Sequence, residues 1–162
     1  DDLVDRLIHH GVVVRVPARR GVRGVPTQQL EVLLIERADK PGFWQSVTGS
    51  IESEDADLLA TAARELMEET GIDAHQYQLQ DWQFSQTYEI YPHWRHRYAP
   101  GVTQNVEHVF GLELPGRVPV KLAPREHIAY EWVDWREAAQ RVFSWTNVEA
   151  LRKLGEMHQL SL

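Results

Sequence analysis

Apolar residues fall along this chain in short β-prone runs, interrupted by one helical stripe and closed by two capped segments. His10 to Val16 (HGVVVRV) is rich in β-branched residues and predicts a strand. Leu30 to Glu36 (LEVLLIE) predicts a second, too apolar for an exposed edge, with Arg37 ending it. Between them, Pro17 to Gln29 carries two Pro, two Gly and three Arg and reads as a loop or long hairpin tip. Pro41-Gly42 marks a turn, after which Phe43 to Gly49 leads into a helix from about Asp57 to Thr70. Leu59, Ala62, Ala63 and Leu66 recur there at three- and four-residue spacing and predict its buried stripe, and Gly71 fits the position just past its end.

Leu79 to Ile90 is aromatic and β-prone, a strand that bends where its alternation fails. Asn105 to Leu114 alternates Val106, His108, Phe110, Leu112 and Leu114 on one face, and His127 to Val133 adds a further strand. Asp134 to Glu137 has the spacing of a capping box and predicts a helix through about Val142; Thr146 to Glu149 repeats the device and predicts another through about Leu154. Strands interrupted by one central helix and closed by C-terminal helices predict an α+β protein, an α/β/α sandwich on a central mixed sheet. The 162 residues, without repeats, low-complexity segments or linkers, fit a single domain spanning 1–162.

Charge and composition narrow the chemistry. With 24 acids against 17 Lys and Arg the net charge is −7, which argues against a nucleic acid polymer as partner. A small anionic substrate stays open, given a metal and a local basic patch. The chain has no cysteine, so disulfides, thiolate metal sites and cysteine nucleophiles are excluded. No run approaches the ~20 apolar residues of a membrane span. No signal peptide is visible, so a soluble, cytoplasmic protein is expected, with a few residues expected ahead of Asp1.

The acidic side of the predicted helix is poorly designed for stability alone. Glu65, Glu68 and Glu69 are three and four residues apart, where like charges repel, and the last two stand in the final turn, where the helix dipole disfavours anions. A divalent cation reverses each of these penalties, and carboxylates are natural ligands for Mg²⁺. A solvated acidic face is the ordinary alternative. Pro92 to Gly101 is a positive island: Arg95 and Arg97 with His93 and His96, interleaved with Trp94 and Tyr98. Its guanidiniums suit phosphates and its rings suit stacking; a solvated basic loop is equally consistent. Glu126, Arg37 and Ser144 are, by themselves, unremarkable loop or strand-end residues.

The run Arg64-Glu65-Leu66-Met67-Glu68-Glu69-Thr70-Gly71-Ile72 resembles the signature of the Nudix hydrolases, Arg-Glu-apolar-x-Glu-Glu-x-Gly-apolar. Counted back from Arg64, that signature's glycine falls on Ser50 and its first glutamate on Ala56. This chain has Gly49 and Asp55 instead, an insertion of one residue; Asp55 is read as the displaced acid, with Glu54 as the alternative. Further segments, Phe43 to Ser50, Arg95 to Thr103, and Glu126-His127 with Ala129-Tyr130 and Trp132, resemble the dihydroneopterin triphosphate pyrophosphohydrolase branch of that family. The Pro17 to Gln29 loop is longer than that branch's pattern.

The resemblance implies Mg²⁺-dependent release of pyrophosphate from dihydroneopterin triphosphate, a step towards folate, with Mn²⁺ a possible substitute. It implies metal ligands at Glu65, Glu69 and Glu126; the crowding of the helix carboxylates adds Glu68 as an expected ligand, and catalytic roles are expected for Glu68, Glu126 and Arg64. Glu126 stands as ligand or general base. Arg37, Thr48, Ser144, Arg95 and Arg97 are expected to bind substrate, with Arg6 the match for a further N-terminal basic contact. Two rivals remain open: a Nudix enzyme acting on ordinary or oxidised nucleoside triphosphates, and a non-catalytic nucleotide-sensing module on the same fold. The oligomeric state is left open.

Overall fold

The computed structural model describes residues 8–17, 30–50, 54–97, 100–101 and 103–162, with the side chains of 8–10, 94 and 97 left aside. The first two apolar runs become β1 (Ile8–Val16) and β2 (Glu31–Arg37). They are followed by the short β3 (Trp44–Gln45) and β4 (Val47–Ser50), then α1 (Leu58–Thr70), β5 (Gln78–Glu89), β6 (Gln104–Glu113) and β7 (His127–Asp134), and finally α2 (Trp135–Arg141) and α3 (Trp145–Met157). Among the described residues, no helix is long and apolar enough to cross a membrane.

One mixed sheet joins all seven strands. β1 runs parallel to β6 over eight register pairs, while the other pairings are antiparallel. β1 and β2 share only the pairs Arg15–Val32 and Val16–Glu31. Beyond them the two strands separate, and β4 pairs with β1 while β3 pairs with β2 in the gap between them. This wedge is where the site lies. Sequence-distant residues meet there because β7 pairs along the opposite edge of β2 and brings His127 level with Arg37.

Each sheet face has its own core. Leu33 and Ile35 of β2 pack with Val12, Val14, Phe110 and Leu112 under Ala62 and Leu66 of α1. Val32 and Leu34 point the other way and pack with Val13, Val109, Trp135, Leu151 and Leu154 under α2 and α3. β2 is therefore apolar at successive positions because both faces are covered. The same holds for β6: Val109 is as buried as Phe110, so its single-faced alternation is replaced by two inner faces, with His108 and Val106 only half-buried. β5 does bend, with Gln83 at φ 52 beside a register shift between Asp81 and Phe84.

Three local expectations change. Leu59 is 43% exposed, and the stripe of α1 starts at Leu58, because the helix presents Thr61, Ala62, Leu66, Glu69 and Thr70 to the interior. α3 starts one residue before Thr146 and runs to Met157; its cap is Ser144, whose side chain accepts from Asn147 N–H. Pro92–Arg97 of the basic loop forms a 3₁₀ helix. Asp57 and Gly71 (φ 73) cap α1, and Asp134 caps α2 through the N–H groups of Arg136 and Glu137. The Pro17 to Gln29 loop, apart from Pro17, lies outside the described residues, as do Arg6 and Tyr98.

Candidate active site

The C-terminal half of α1 faces the wedge, and its three glutamates fare differently. Glu69 is 4% exposed, the Glu65 side chain 14%, and the Glu68 side chain 56%. Burial, then the nearby Glu65 and Glu126 carboxylates, push Glu69 up to about 9, against the N–H of Thr48, which favours its charged form. Burial is also the main cause that lifts Glu65 to about 7, with Arg64 opposing and Glu68 and Glu126 adding to it. Among the described residues, Oε2 of Glu69 is buried with no hydrogen-bond partner. Such an atom is costly unless something fills its coordination.

Glu69 also belongs to a group of potential ligand atoms. Glu69, Glu126 and His127 each offer one, all within 4.8 Å of one another. Desolvation, and then the neighbouring Arg37 charge, lower His127 to about 4, so its ring is neutral near pH 7 and able to ligate. Two carboxylates and an imidazole suit a small divalent cation, and the orphaned Glu69 oxygen supplies the place for one. The Glu65 charge acts on Glu69, and that of Glu126 acts on both, whereas Glu68 is exposed and pairs with Arg64.

Arg64 ties this constellation together. It donates from Nε and Nη2 to the two oxygens of Asp55 at 3.0 and 3.1 Å, and from Nη1 to Glu65 Oε1 at 3.1 Å and Glu68 Oε2 at 3.2 Å. Nη2 also reaches the carbonyl of Ser50 at 3.3 Å. Asp55, held as well by the Thr61 hydroxyl at 2.8 Å, thus meets the arginine as the displaced acid, while Glu54 is exposed. The glycine shows the same displacement. A Cβ on Gly49 would stand 2.5 Å from Cδ of Glu65, so the bare backbone of β4 is what admits that carboxylate. Gly49→Ala should therefore push the Glu65 carboxyl aside and lower kcat about tenfold or more, because small misplacements in a site are amplified. Circular dichroism and Tm should show the fold retained, since the clashing atoms end a flexible side chain.

Two cavities open beside this cluster. A polar one of about 280 Å³ is lined by Glu69, Glu126, His127, Arg125 and Asp39. A larger cleft of about 610 Å³ runs between β5, β6, the 3₁₀ helix and the start of α3. Arg37, Gln45 and Thr48 line both. Arg37 forks onto Asp39 at 2.8 and 2.7 Å and lies 5.8 Å from the Phe143 ring centre. Arg95 lines the larger cleft but spends Nε on the Ile90 carbonyl and Nη2 on Glu89. Ser144 lines it too, with its hydroxyl engaged by Asn147 and Thr146. The Arg97 side chain and Arg6 lie outside the described residues.

The cleft also contains residues that the sequence reading passed over. Gln45 bridges Thr48 and the His127 ring at 3.4 and 3.3 Å. Asn147 accepts from the N–H of Ser46 at 3.0 Å and so joins α3 to the turn between β3 and β4. Glu107 and Asn105, both buried, line the floor. The alternation leaves these two on the face opposite Val106 and Phe110, and no spacing signal marks them as site residues.

Comparison with known proteins agrees with this arrangement. The NUDIX domain profile matches residues 17–154. The chain is 46% identical over 124 residues to the dihydroneopterin triphosphate diphosphatase of Escherichia coli strain K12, covering 75% of this chain and 81% of that one. It is 41% identical over 125 residues to the enzyme of the same name from Haemophilus influenzae, covering 75% and 77%. The solved structure of the E. coli dihydroneopterin triphosphate pyrophosphohydrolase superposes with a TM-score of 0.77 at 38% identity, covering 93% of this chain and 96% of that one.

Proposed function

The chain belongs to the Nudix family, and on that premise we propose that it is a pyrophosphohydrolase that splits dihydroneopterin triphosphate into dihydroneopterin monophosphate and pyrophosphate. The observation that carries this reading is the junction of a small carboxylate-lined pocket with a cleft large enough for a bicyclic ring, sharing Arg37, Gln45 and Thr48. A triphosphate with a planar head group needs this pairing, and the relatives' substrate narrows the ring to a dihydropterin. The proposed setting is a single-domain cytoplasmic enzyme acting on a small molecule, on neither a nucleic acid polymer nor a membrane.

Glu65, Glu69 and Glu126, with His127 beside them, are proposed to hold Mg²⁺, or Mn²⁺ in its place. Bound there, the cation supplies charge neutralisation for the phosphates and acidifies water. Phosphoryl substitution asks the protein mainly for positioning and electrostatics. Arg64 contacts the carboxylates of Glu65 and Glu68 and would orient them, and Glu68, the exposed one of the three, is proposed to take a proton from water. Arg37 and Arg125 offer positive charge to the phosphates at the polar pocket, with Thr48 between the two cavities. Ser144 and Arg95, engaged as they are, contribute to the walls of the ring cleft, and Glu126 serves as ligand ahead of any role as base.

A substrate panel with Mg²⁺, read by phosphorus NMR, tests the proposal. Dihydroneopterin triphosphate should give a higher kcat/KM than any standard nucleoside triphosphate, with pyrophosphate as product, and ¹⁸O from water should enter only one of the two products. Equal or better efficiency on dATP or dGTP would favour the general nucleotide enzyme, and orthophosphate alone would overturn the phosphate register. No hydrolysis of any triphosphate would leave the sensing module.

A further inference from the structure

The helix-side core of the sheet changes character at its cleft end. Along β6, Val109 packs beneath α2 and α3, but Glu107 and Asn105, next on the same face, are polar and 6% and 1% exposed. Gln86, directly across from Glu107 on β5, is 8% exposed and donates to the Thr146 carbonyl at 2.9 Å. From the β1 side, Gly11 leaves room: a Cβ there would stand 3.2 Å from Glu107 Oε1. Glu107 is thus a carboxyl group in the floor of the larger cleft, flanked by an amide already committed to α3 and by a strand that makes way for it. Burial raises it to about 7, and among the described residues neither an opposing cation nor a donor counters that. A buried carboxylate with no donor among the described residues is costly to a fold. It is a favourable feature when a ligand brings the donors.

We propose that Glu107 selects a 2-amino-4-oxo ring over adenine, accepting the adjacent N3–H and 2-amino N–H of a 2-amino-4-oxo pteridine in two parallel hydrogen bonds. The inference rests on the proposed pterin triphosphate activity and assigns the recognition of its ring. Adenine presents a ring-nitrogen acceptor beside its amino group, and that acceptor meets a carboxylate with repulsion. A pocket whose polar group is left unpaired by the wrong ring rejects that ring strongly. The metal and phosphate groups treat both triphosphates alike, so discrimination falls to the cleft.

The test measures kcat/KM for dihydroneopterin triphosphate and dATP with wild type, Glu107→Gln and Glu107→Asp, together with binding of unphosphorylated neopterin followed by its fluorescence. Glu107→Gln replaces one acceptor with a donor, so the pterin-to-dATP ratio should fall at least about tenfold, chiefly through KM, and neopterin binding should weaken by a similar factor. Glu107→Asp keeps the carboxylate and should restore part of the ratio, which separates recognition from support of the fold. If wild type prefers the pterin and Glu107→Gln keeps that preference, or loses both substrates equally while folded, the role of Glu107 is overturned and the functional reading survives. If wild type shows no pterin preference, both are overturned.

Discussion

Glu69→Gln should lower kcat by at least about a hundredfold at saturating Mg²⁺, a loss of roughly 2.7 kcal/mol of transition-state stabilisation. The reason is that Glu69 offers a ligand atom within 4.8 Å of those of Glu126 and His127, and has a buried oxygen without a partner among the described residues. The same change should leave the metal-free protein as stable or more so. Folding raises Glu69 from the usual 4.5 to about 9, so the folded chain holds a proton there that the unfolded chain releases. Stability from this group is fully present below pH 4.5 and is lost as pH rises towards about 9. Thermal melts of the metal-free wild type should therefore decline across that window, and Glu69→Gln should flatten the decline. Added Mg²⁺ should raise Tm more at the alkaline end, because it competes with fewer protons. Near-normal turnover in the variant, or a Mg²⁺ stabilisation independent of pH, would remove Glu69 from the metal site.

Replacing Arg64 with Lys should cost about thirtyfold in kcat, within the ten- to hundredfold range for groups that orient metal ligands. The guanidinium uses all three nitrogens at once: a fork on Asp55, one branch shared by Glu65 and Glu68, and a bond to the Ser50 carbonyl. A lysine offers one point charge and cannot hold Asp55 bidentately while facing two glutamates. The loss should appear in Mg²⁺ affinity, measured by calorimetry, as well as in kcat. Unaltered Mg²⁺ binding would mean that Arg64 acts without positioning the carboxylates.

Much of this architecture could be read from the pattern of residues because the signals were local. The caps Asp57, Gly71 and Asp134 announce themselves by residue type, and β2 is apolar enough to require cover on both faces. The acidic side of α1 is legible for another reason: three glutamates at a helix end contradict helix design. What stayed hidden depends on long-range pairing. Leu59 and Leu58 are indistinguishable to a three- and four-residue spacing rule, and only packing against the sheet chooses between them. Ser144 lost out to Thr146 as cap because Thr146-x-x-Glu149 copies the capping spacing; the fold selects Ser144, which Asn147 reaches from both its N–H and its side chain. Glu107 was unreadable because a polar residue in a strand looks solvated until a second layer covers it.

The bond between the Ser46 N–H and Asn147 Oδ1 crosses 101 residues of sequence. During synthesis, the β3–β4 turn and α1 leave the ribosome long before α3 exists to meet them, and such distant contacts are the last to be rewarded in folding. The acidic helix can form early, but the wall of the ring cleft cannot. A nascent chain thus carries the α1 carboxylates proposed to hold the metal before it has the cleft proposed to choose a substrate. Catalytic selectivity arrives only when the final helix docks.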